Sequence, residues 1–356
     1  MRKFAVFSGF LGSGKTTTMM ALTRFSTDHF CKAAMISNDL GGAGLADNRF
    51  AGLSGCLASE LTGDCICYQT QNLVNRLRSL YDQESCSLVI SDIPGFGVGA
   101  LEHVYHTLRR DFPDECSLAP FTVLCEPHTL EILKENRDPD LSYILRSQLL
   151  EADLIVLNKC DLLSPEQQAL ACAYLGSIHP QAQIIAISAQ TGEGLEILHQ
   201  ALIYGKASLR SPDLQYGKPA FLSAMGNISE YYLQYHAIVC CNDFSGTDYL
   251  LHMVREISNR LSSVSASIPH MKLLAWTPEG DYGKVDYLGA DRPPVVAKAF
   301  SVPCTELAVI LNASAFCPSE ILNGILTDSM YASSEAYQLS VTIFRKECFS
   351  AMEGSH

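Results

Sequence analysis

The residues best suited to chemistry stand near the start of the chain, where Gly9, Gly14, Lys15 and Thr16 occur in the spacing G-x-x-x-x-G-K-T. Glycines in this spacing let backbone N–H groups curl around phosphate oxygens at the start of a helix. The lysine would reach the β- and γ-phosphates, and the threonine hydroxyl would bind Mg²⁺. The pattern predicts a phosphate-binding loop made of Gly9, Gly12, Ser13, Gly14, Lys15, Thr16 and Thr17.

A second reactive pair is Asp92 and Gly95, in the spacing D-x-x-G. The carboxylate would hold a Mg²⁺-bound water, and the glycine N–H would contact a γ-phosphate and release it after hydrolysis. Alone this spacing is more often an ordinary turn, but here it follows an apolar run and a phosphate loop. The residues predicted to bear phosphoryl transfer are Lys15, Thr16 and Asp92, with Asp39 and Glu60 as further candidate ligands of Mg²⁺ or water.

A base-reading segment is predicted at Asn158, Lys159 and Asp161, in the sequence N-K-C-D. The aspartate would accept hydrogen bonds from the N1–H and 2-amino group of guanine, and the lysine stem would lie along the ring. Adenine offers that carboxylate a lone pair instead, which costs roughly 3 kcal/mol, or about 100-fold in binding. Further along, Ser188 and Ala189 would turn backbone N–H groups toward the guanine O6.

These motifs need elements that bring them together. Each follows an apolar, strand-like run, at 4–8, 88–90, 154–157 and 184–187, and the phosphate loop leads into a helix-like pattern. We therefore expect an α/β domain with a mostly parallel sheet, in which the distant segments converge on one nucleotide cradle.

Composition limits the other possibilities. The chain has 356 residues, which predicts two domains, and its net charge of −13 argues against nucleic acid and anionic membranes as partners. No apolar run reaches the ~18 residues of a membrane span, so we expect a cytoplasmic protein. Most of the 14 cysteines are expected to be reduced and to pack as small hydrophobic residues.

The second half of the chain predicts a different architecture. Residues 212–227 are rich in turn formers and are interpreted as a linker between a domain at 1–211 and one at 228–350. Beyond it the order is a strand at 235–244, a helix at 247–263, strand candidates at 270–278, 283–290 or 294–301, and 306–314, a helix at 318–331 and a strand at 336–344. This order predicts a ferredoxin-like α+β domain.

Residues 4 to about 205 resemble the metal-handling P-loop GTPases, and most closely their CobW-like branch. The segments that carry the resemblance are GFLGSGKTT at 9–17, SNDLGGAG at 37–44, ELTGDCIC at 60–67, SDIPG at 91–95 and LLEADLIVLNKCDLL at 149–163. The resemblance implies a Mg²⁺-dependent GTPase with a slow intrinsic rate, whose relatives act in nickel, cobalt, zinc and cobalamin handling.

CobW-like proteins carry E-L-x-N-G-C-x-C-C, whose thiolates bind a divalent metal. Here Cys65 and Cys67 match the first two thiols, but Tyr68 replaces the third. Two thiolates fill half of a tetrahedral zinc or cobalt site. The other ligands could be Cys56, Asp64 or the same pair of a second subunit in a homodimer; alternatively, the pair is a relic of a lost site. The family's aspartate after the next strand is also changed, to Glu126.

The function predicted from these features is GTP hydrolysis that gates Zn²⁺, Co²⁺ or a metal-containing cofactor such as a corrinoid toward a client protein. The client would be a metalloprotein or a corrinoid-dependent protein. One alternative is a nucleotide-dependent assembly factor that binds no metal itself. Another is a small-molecule kinase, which the guanine-reading segment argues against.

Overall fold

The computed structural model describes residues 2–38, 46–136, 139–210, 212, 219–240, 242–264, 267–289 and 292–350. Asp39, the predicted Mg²⁺ ligand, lies outside these residues. The chain divides into two compact units, one of Met1–Leu40 with Ala51–Ala224 and the other of Gly41–Phe50 with Met225–His356.

The first unit is built on a parallel sheet. Its strands are β1 (Lys3–Ser8), β2 (Ala33–Asn38), β3 (Ala58–Leu61), β4 (Leu88–Asp92), β5 (Ser117–Leu118), β6 (Thr122–Cys125), β7 (Leu154–Leu157) and β8 (Gln183–Ala186). Their order is β3-β2-β4-β1-β6-β7-β8, with the short β5 also paired to β1, and every pairing is parallel. All six residues of β1 and of β2 are buried, as expected for strands covered on both faces.

Each helix of the described residues lies between two strands in the sequence. They are α1 (Lys15–His29), α2 (Ala46–Leu53), α3 (Thr70–Arg78), α4 (Thr107–Asp111), α5 (Pro127–Glu135), α6 (Pro139–Glu151), α7 (Pro165–Ile178), α8 (Leu195–Tyr204), α9 (Pro219–Gly226), α10 (Gly246–Ser263) and α11 (Ser319–Ala336). Two π-helical segments, Ser79–Gln83 and Leu101–His106, and a 3-10 turn at Cys160–Leu162 complete the set. Local sequence fixes several starts: at α7, Ser164 and Gln167 form a reciprocal capping box ahead of Pro165.

The second unit is an antiparallel sheet. Its strands are β9 (Ile228–Val239), β10 (Ser267–Trp276), β11 (Tyr282–Tyr287), β12 (Val295–Lys298), β13 (Glu306–Phe316) and β14 (Leu339–Ser350), in the order β12-β11-β10-β13-β9-β14. Alternate side chains of β9, such as Leu233 and Ala237, share a core with α10 and α11. The order β14-β9-β13-β10 with these two helices is the ferredoxin-like arrangement, which β11 and β12 extend.

Residues 46–50 are part of this second unit. The Ala46 N–H donates to Asn312 Oδ1 at 2.9 Å, and the Asp47 carboxylate pairs with Lys272 and, at 3.3 Å, with Lys284. Arg49 lies 4.9 Å from the Trp276 ring centroid. The second unit therefore includes a segment that lies far away in sequence from the rest of it.

Several element boundaries differ from the sequence expectation. The first strand of the second unit begins at Ile228 and ends at Val239, so Cys240 lies beyond it, and Cys241 lies outside the described residues. Tyr231 and Tyr232 are both fully buried, so neighbouring positions lack the polar–apolar alternation that would have marked the strand. Residues 219–226, interpreted as linker, form α9, while 213–218 are outside the described residues. Strands form in both alternative regions, as β11 and β12.

Candidate nucleotide and thiol site

The predicted site residues of the first unit lie where its parallel strands end. The phosphate loop follows β1, and Asp92 is the last residue of β4. Asn158 is the first residue after β7, and Ser188 is the second residue after β8. Because the strands are parallel, their carboxyl ends share one edge of the sheet, which is where ligands of open α/β sheets bind. In the register of the sheet, Asp92 pairs with Phe7, two residues before Gly9.

The phosphate loop requires glycine at two positions in particular. Gly9 and Gly14 have φ values of +129° and +90°. A Cβ at Gly9 would lie 2.2 Å from Leu124 O, and one at Gly14 would lie 2.2 Å from Asn158 Nδ2. The loop leads into α1 at Lys15, whose Nζ donates to Gly9 O at 2.6 Å and Phe10 O at 3.3 Å. The Lys15 side chain thus folds back onto the backbone carbonyls at the start of the phosphate loop.

The loop also has an unpartnered buried hydroxyl. Ser13 is 1% exposed, and its Oγ has no hydrogen-bond partner within the part of the chain that the structure describes. Leaving a buried polar atom unpaired is costly, so its presence at a helix N-terminus fits a phosphate oxygen as the missing partner.

Two predicted Mg²⁺ ligands lie at the same edge. Thr16 is in the first turn of α1, and Asp92 is a buried carboxylate whose Oδ1 accepts from the Asn38 N–H at 2.8 Å. A hydroxyl and a carboxylate are the hard oxygen ligands that Mg²⁺ prefers beside phosphate, so the donor chemistry fits this ion. Glu60 lies in β3, paired with Ser37 of β2.

The predicted guanine-reading segment is tied directly to the phosphate loop. Asn158 Nδ2 donates to Ser13 O at 3.0 Å, and its Oδ1 accepts from Ala189 N at 3.1 Å. Lys159 Nζ donates to Gly12 O at 2.8 Å. The structure therefore brings three distant stretches of the prediction together. Asp161 is exposed on the 3-10 turn, and Ser188 is buried with its hydroxyl accepting from Thr191 N at 3.1 Å.

Glu126 is the second partner of Lys159. Its Oε2 lies 2.6 Å from Lys159 Nζ, and Glu126 is 5% exposed at the end of β6. The sequence showed Glu126 only as a departure from the family pattern. Its role as the counter-ion of the base-reading lysine depends on β6 and β7 being neighbours, which their pairing provides.

The two cysteines of the thiol loop, defined here as residues 64–67, face one another. Cys65 Sγ lies 2.9 Å from Cys67 Sγ in a thiol–thiol hydrogen bond, and both are free cysteines. The Asp64 carboxylate accepts from Cys65 N at 2.7 Å. The hydrogen bond that Cys67 shares with Cys65, together with burial, raises the pKa of Cys67 well above its usual value. A metal ion would therefore have to displace a firmly held proton.

The other candidate ligands are placed less favourably. Cys56 Sγ points to Met20 O at 3.8 Å. Tyr68 is 59% exposed, with its ring 6.0 Å from that of His103. Across the described ranges, no group of three or more His, Cys, Asp or Glu side chains is arranged to hold a metal ion. Cys65 and Cys67 fit a metal as two of its four ligands, and no more.

A buried asparagine connects the thiol loop to Asp92. Asn38, at the end of β2, is 4% exposed and makes three side-chain hydrogen bonds to the region of the cysteines. Its Nδ2 donates to Leu61 O at 3.0 Å and Asp64 O at 2.9 Å, and its Oδ1 accepts from Ile66 N at 2.9 Å. Sequence reasoning missed this residue, although a polar side chain directly after an apolar run was a usable signal.

Helix α6 holds the segment after Asp92. Gln148 Nε2 donates to Gly95 O at 3.1 Å and Gly97 O at 3.0 Å, and the Glu151 carboxylate accepts from Gly99 N at 2.9 Å. Both side chains are buried, and burial raises the pKa of Glu151 to about 7. A Cβ at Gly95 would lie 2.5 Å from Leu11 Cδ2, so the segment also touches the phosphate loop. No sequence signal marked Gln148, and Glu151 was marked only as part of the segment at 149–163 that resembles the family.

The parallel sheet, the glycine loop leading into α1 and the Asn-Lys-x-Asp segment define a P-loop nucleotide-binding protein. The chain belongs to the CobW/HypB/UreG family, because the profile of that family's nucleotide-binding domain matches residues 3–186. The resemblance to CobW-like GTPases and the expected fold class are thereby confirmed.

Individual relatives are more distant. The zinc chaperone YeiR of Escherichia coli (strain K12) is 30% identical over 173 residues, which are 48% of this chain and 50% of that protein. The chain therefore spans about half the length of the curated relative it matches. HypB from Helicobacter pylori, solved in complex with nickel, is 18% identical over 57% of this chain and 86% of its own, with a TM-score of 0.42. Zn(II)-bound YjiA GTPase from E. coli is 15% identical over 92% and 98%, with a TM-score of 0.37.

Both TM-scores are low, so the family assignment rests on the match over residues 3–186. No helix among the described residues is long and apolar enough to cross a membrane.

Proposed function

We propose that this protein binds GTP and hydrolyses it slowly to GDP and phosphate, and that the cycle gates a metal ion at the thiol loop. The observation that carries the GTP part is the pair of contacts from Asn158 to Ser13 and from Lys159 to Gly12. These contacts make the phosphate loop and the base-reading segment parts of one cradle. A triphosphate held by the loop would place its base against Lys159 and Asp161.

Guanine is the base that this cradle favours. Asp161 would accept from the N1–H and 2-amino group, and the N–H of Ala189, on the segment that Asn158 holds, would be near the O6. A carboxylate facing adenine would meet a lone pair, with a penalty of roughly 3 kcal/mol. A kinase acting on a small metabolite would need a second substrate pocket. The described residues of this cradle would recognise guanine, and they give no support for such a metabolite pocket.

Phosphoryl transfer would depend on position and charge, with no protein nucleophile. The Lys15 ammonium, held on Gly9 O, would exchange that carbonyl for the β- and γ-phosphate oxygens. Thr16 and Asp92 would hold Mg²⁺, which supplies charge neutralisation when bound. Gly95 would present its N–H to the γ-phosphate, from a segment that Gln148 and Glu151 fix in place.

The metal part of the proposal rests on Cys65 and Cys67. Thiolates one residue apart in a loop can share one Zn²⁺ or Co²⁺ ion, and the two open positions suit an ion that must pass to a client. A metalloprotein or a corrinoid-dependent protein is the proposed class of client. A second subunit contributing its own pair would complete the tetrahedron in another way and would make metal binding dependent on dimerisation.

A second candidate function is a nucleotide-dependent assembly factor that binds no metal. The specific observation in its favour is the hydrogen bond between the two thiols, together with the lack of a third ligand beside them in the described residues. Under this function the cysteines would be core-packing residues.

Calorimetry with Mg²⁺ present tests the nucleotide proposal directly. We expect GTP and GDP to bind and ATP to bind about 100-fold more weakly. Equal affinity for GTP and ATP would contradict it. Product analysis separates the classes of enzyme, because free phosphate without a phosphorylated metabolite excludes a kinase. Elemental analysis of protein purified without chelators or metal-affinity steps tests the metal proposal.

A further inference from the structure

We propose that Asn38 is the positioning residue through which the thiol loop and Asp92 respond to each other. The inference rests on the proposed nucleotide cycle and assigns its coupling to one side chain. It is carried by the position of β2 in the sheet and by four hydrogen bonds of Asn38.

Strand β2 lies between β3, which leads into the thiol loop, and β4, which ends at Asp92. Asn38 is the last residue of β2 and pairs with Leu61, the last residue of β3. Its backbone N–H donates to Asp92 Oδ1 at 2.8 Å on one side, and its side chain reaches the thiol loop on the other. One residue thus spans the two sites.

Two of the three side-chain hydrogen bonds of Asn38 fall on the residues directly before the cysteines. Asp64 O accepts from Asn38 Nδ2, and Ile66 N donates to Asn38 Oδ1. Asp64 precedes Cys65, and Ile66 precedes Cys67. A shift of Asn38 would therefore move both thiols together, because the bonds are short and the asparagine is buried.

Asp92 would provide the nucleotide-dependent input. Its carboxylate would hold a Mg²⁺-bound water in the triphosphate state, and the Asn38 N–H donates to Oδ1 of the same carboxylate. A change in the contacts of the Asp92 carboxylate would therefore change the strength of its hydrogen bond with the Asn38 N–H. Energetic coupling of this kind must act equally in both directions, so a ligand on the thiols would alter nucleotide affinity by the same factor.

The side chain suits the role because it donates and accepts at once. Aspartate would keep the acceptor for Ile66 N but would set an oxygen against the carbonyls of Leu61 and Asp64. Alanine would remove all three side-chain bonds and leave the backbone bond to Asp92 in place. Alanine therefore severs the thiol side of the link completely and aspartate severs it in part, and neither substitution deletes the Asp92 side.

The test is pulse alkylation of the full chain with N-ethylmaleimide, read by mass spectrometry on the peptide that contains Cys65 and Cys67. It is run with Mg²⁺ and GDP, with Mg²⁺ and a non-hydrolysable GTP analogue, and without nucleotide. We expect the wild-type alkylation rates in the two nucleotide states to differ by about 5-fold or more, which is the lower end of typical allosteric couplings. In Asn38→Ala the ratio should fall to about one, and in Asn38→Asp, which keeps the bond to Ile66 N, it should fall in part, while the analogue still binds in both. Asn75→Ala, an exposed asparagine on α3, should keep the wild-type ratio.

A nucleotide-dependent ratio that persists in both Asn38 variants would overturn the inference, as would equal rates in the wild type. If the variants fail to fold, amide hydrogen exchange in the wild type decides. The Asn38 and Ile66 amides must change protection together between the two nucleotide states, and a change at Asn38 alone contradicts the link. Calorimetry on the same samples distinguishes failure of the proposed function from failure of the coupling. If no nucleotide binds, both the proposed function and the coupling are overturned. If nucleotide binds but the alkylation rates do not depend on it, only the coupling is overturned.

Discussion

The ammonium of Lys159 donates to the carboxylate of Glu126 at 2.6 Å and to the carbonyl of Gly12 at 2.8 Å. The lysine adopts a left-handed backbone conformation, with φ at +62°, directly after the buried Asn158. Glu126 therefore fixes the direction of the side chain that is proposed to lie along the base. The sequence pattern alone assigned this duty to Lys159 without a counter-ion.

Glu126→Gln should weaken GTP binding by about 10-fold, because it replaces an ion pair by a bond from the Lys159 ammonium to a neutral amide at a nearly buried site. Calorimetry measures the affinity. Glu131→Gln is the matched control, since Glu131 is an exposed residue on α5 that pairs with His128. An unchanged affinity in Glu126→Gln would show that Lys159 is positioned by Gly12 alone.

Asp161→Asn should reduce GTP affinity by about 100-fold, because the amide cannot accept two hydrogen bonds from guanine. The same amide can donate to the 2-carbonyl of xanthine, so xanthosine triphosphate should gain affinity in the variant. Competition against a fluorescent nucleotide reads both changes. Asp114→Asn, an exposed acid elsewhere in the first unit, should alter neither. Loss of GTP without gain of the xanthine nucleotide would mean that Asp161 acts on structure and not on the base.

Gly14→Ala should abolish measurable GTP binding and lower stability. The added Cβ would meet Asn158 Nδ2 at 2.2 Å, in addition to the strain of a left-handed backbone, which is about 1–2 kcal/mol. Gly280→Ala separates the two effects, because Gly280 has a similar φ of +93° with no atom within 4 Å of its Cβ. Denaturant unfolding should show a larger loss for Gly14→Ala than for Gly280→Ala. Equal losses would remove the contact with Asn158 from the explanation.

Glu151 should make stability depend on pH. Burial raises its pKa from 4.5 to about 7, so the stability present with the protonated acid is complete below about pH 4.5 and is lost as the pH rises through about 7. The effect is at most about 3 kcal/mol. Glu151→Gln should therefore show a smaller fall in Tm than the wild type between about pH 5 and about pH 8. Glu166→Gln, an exposed substitution on α7, should keep the wild-type profile. Parallel profiles for wild type and Glu151→Gln would contradict the raised pKa.

Replacing both Cys65 and Cys67 by serine tests the metal proposal against its rival. Metal content after zinc loading and gel filtration should fall to background, since serine is a poor ligand for zinc. Cys172→Ser, on α7, controls for the loss of a thiol in general. Metal content and GTPase rate that match the wild type would favour the assembly factor without metal.

The phosphate loop and the strand–motif pairs could be predicted because their signals are local. Residues 4–16 contain a strand, a glycine spacing and a helix start in one continuous stretch, and the strand Leu154–Leu157 is where it was expected. Asn38, Glu126, Gln148 and Glu151 could not be predicted in the same way. Their partners are set by which strands and helices are neighbours, and the strand order β3-β2-β4-β1 has no local signature. The ferredoxin-like order could be predicted, and so could the C-terminal part of β9. The start of β9 could not, because Tyr231 and Tyr232 are both buried and the strand lacks a polar–apolar alternation there.

The assignment of Gly41–Phe50 to the second unit means that the chain enters that unit twice. Asp47 lies in the first of these two segments and pairs with Lys284. Burial lowers the pKa of Lys284, but the carboxylates of Asp286 and Asp47 outweigh it and hold that pKa above its usual value. A fragment that begins near residue 225 would therefore contain the antiparallel sheet but lack Asp47, one of the two carboxylates that pair with the buried Lys284. The second unit is a discontinuous domain, made of two separate sequence segments, and a fragment that contains only one of them lacks part of it.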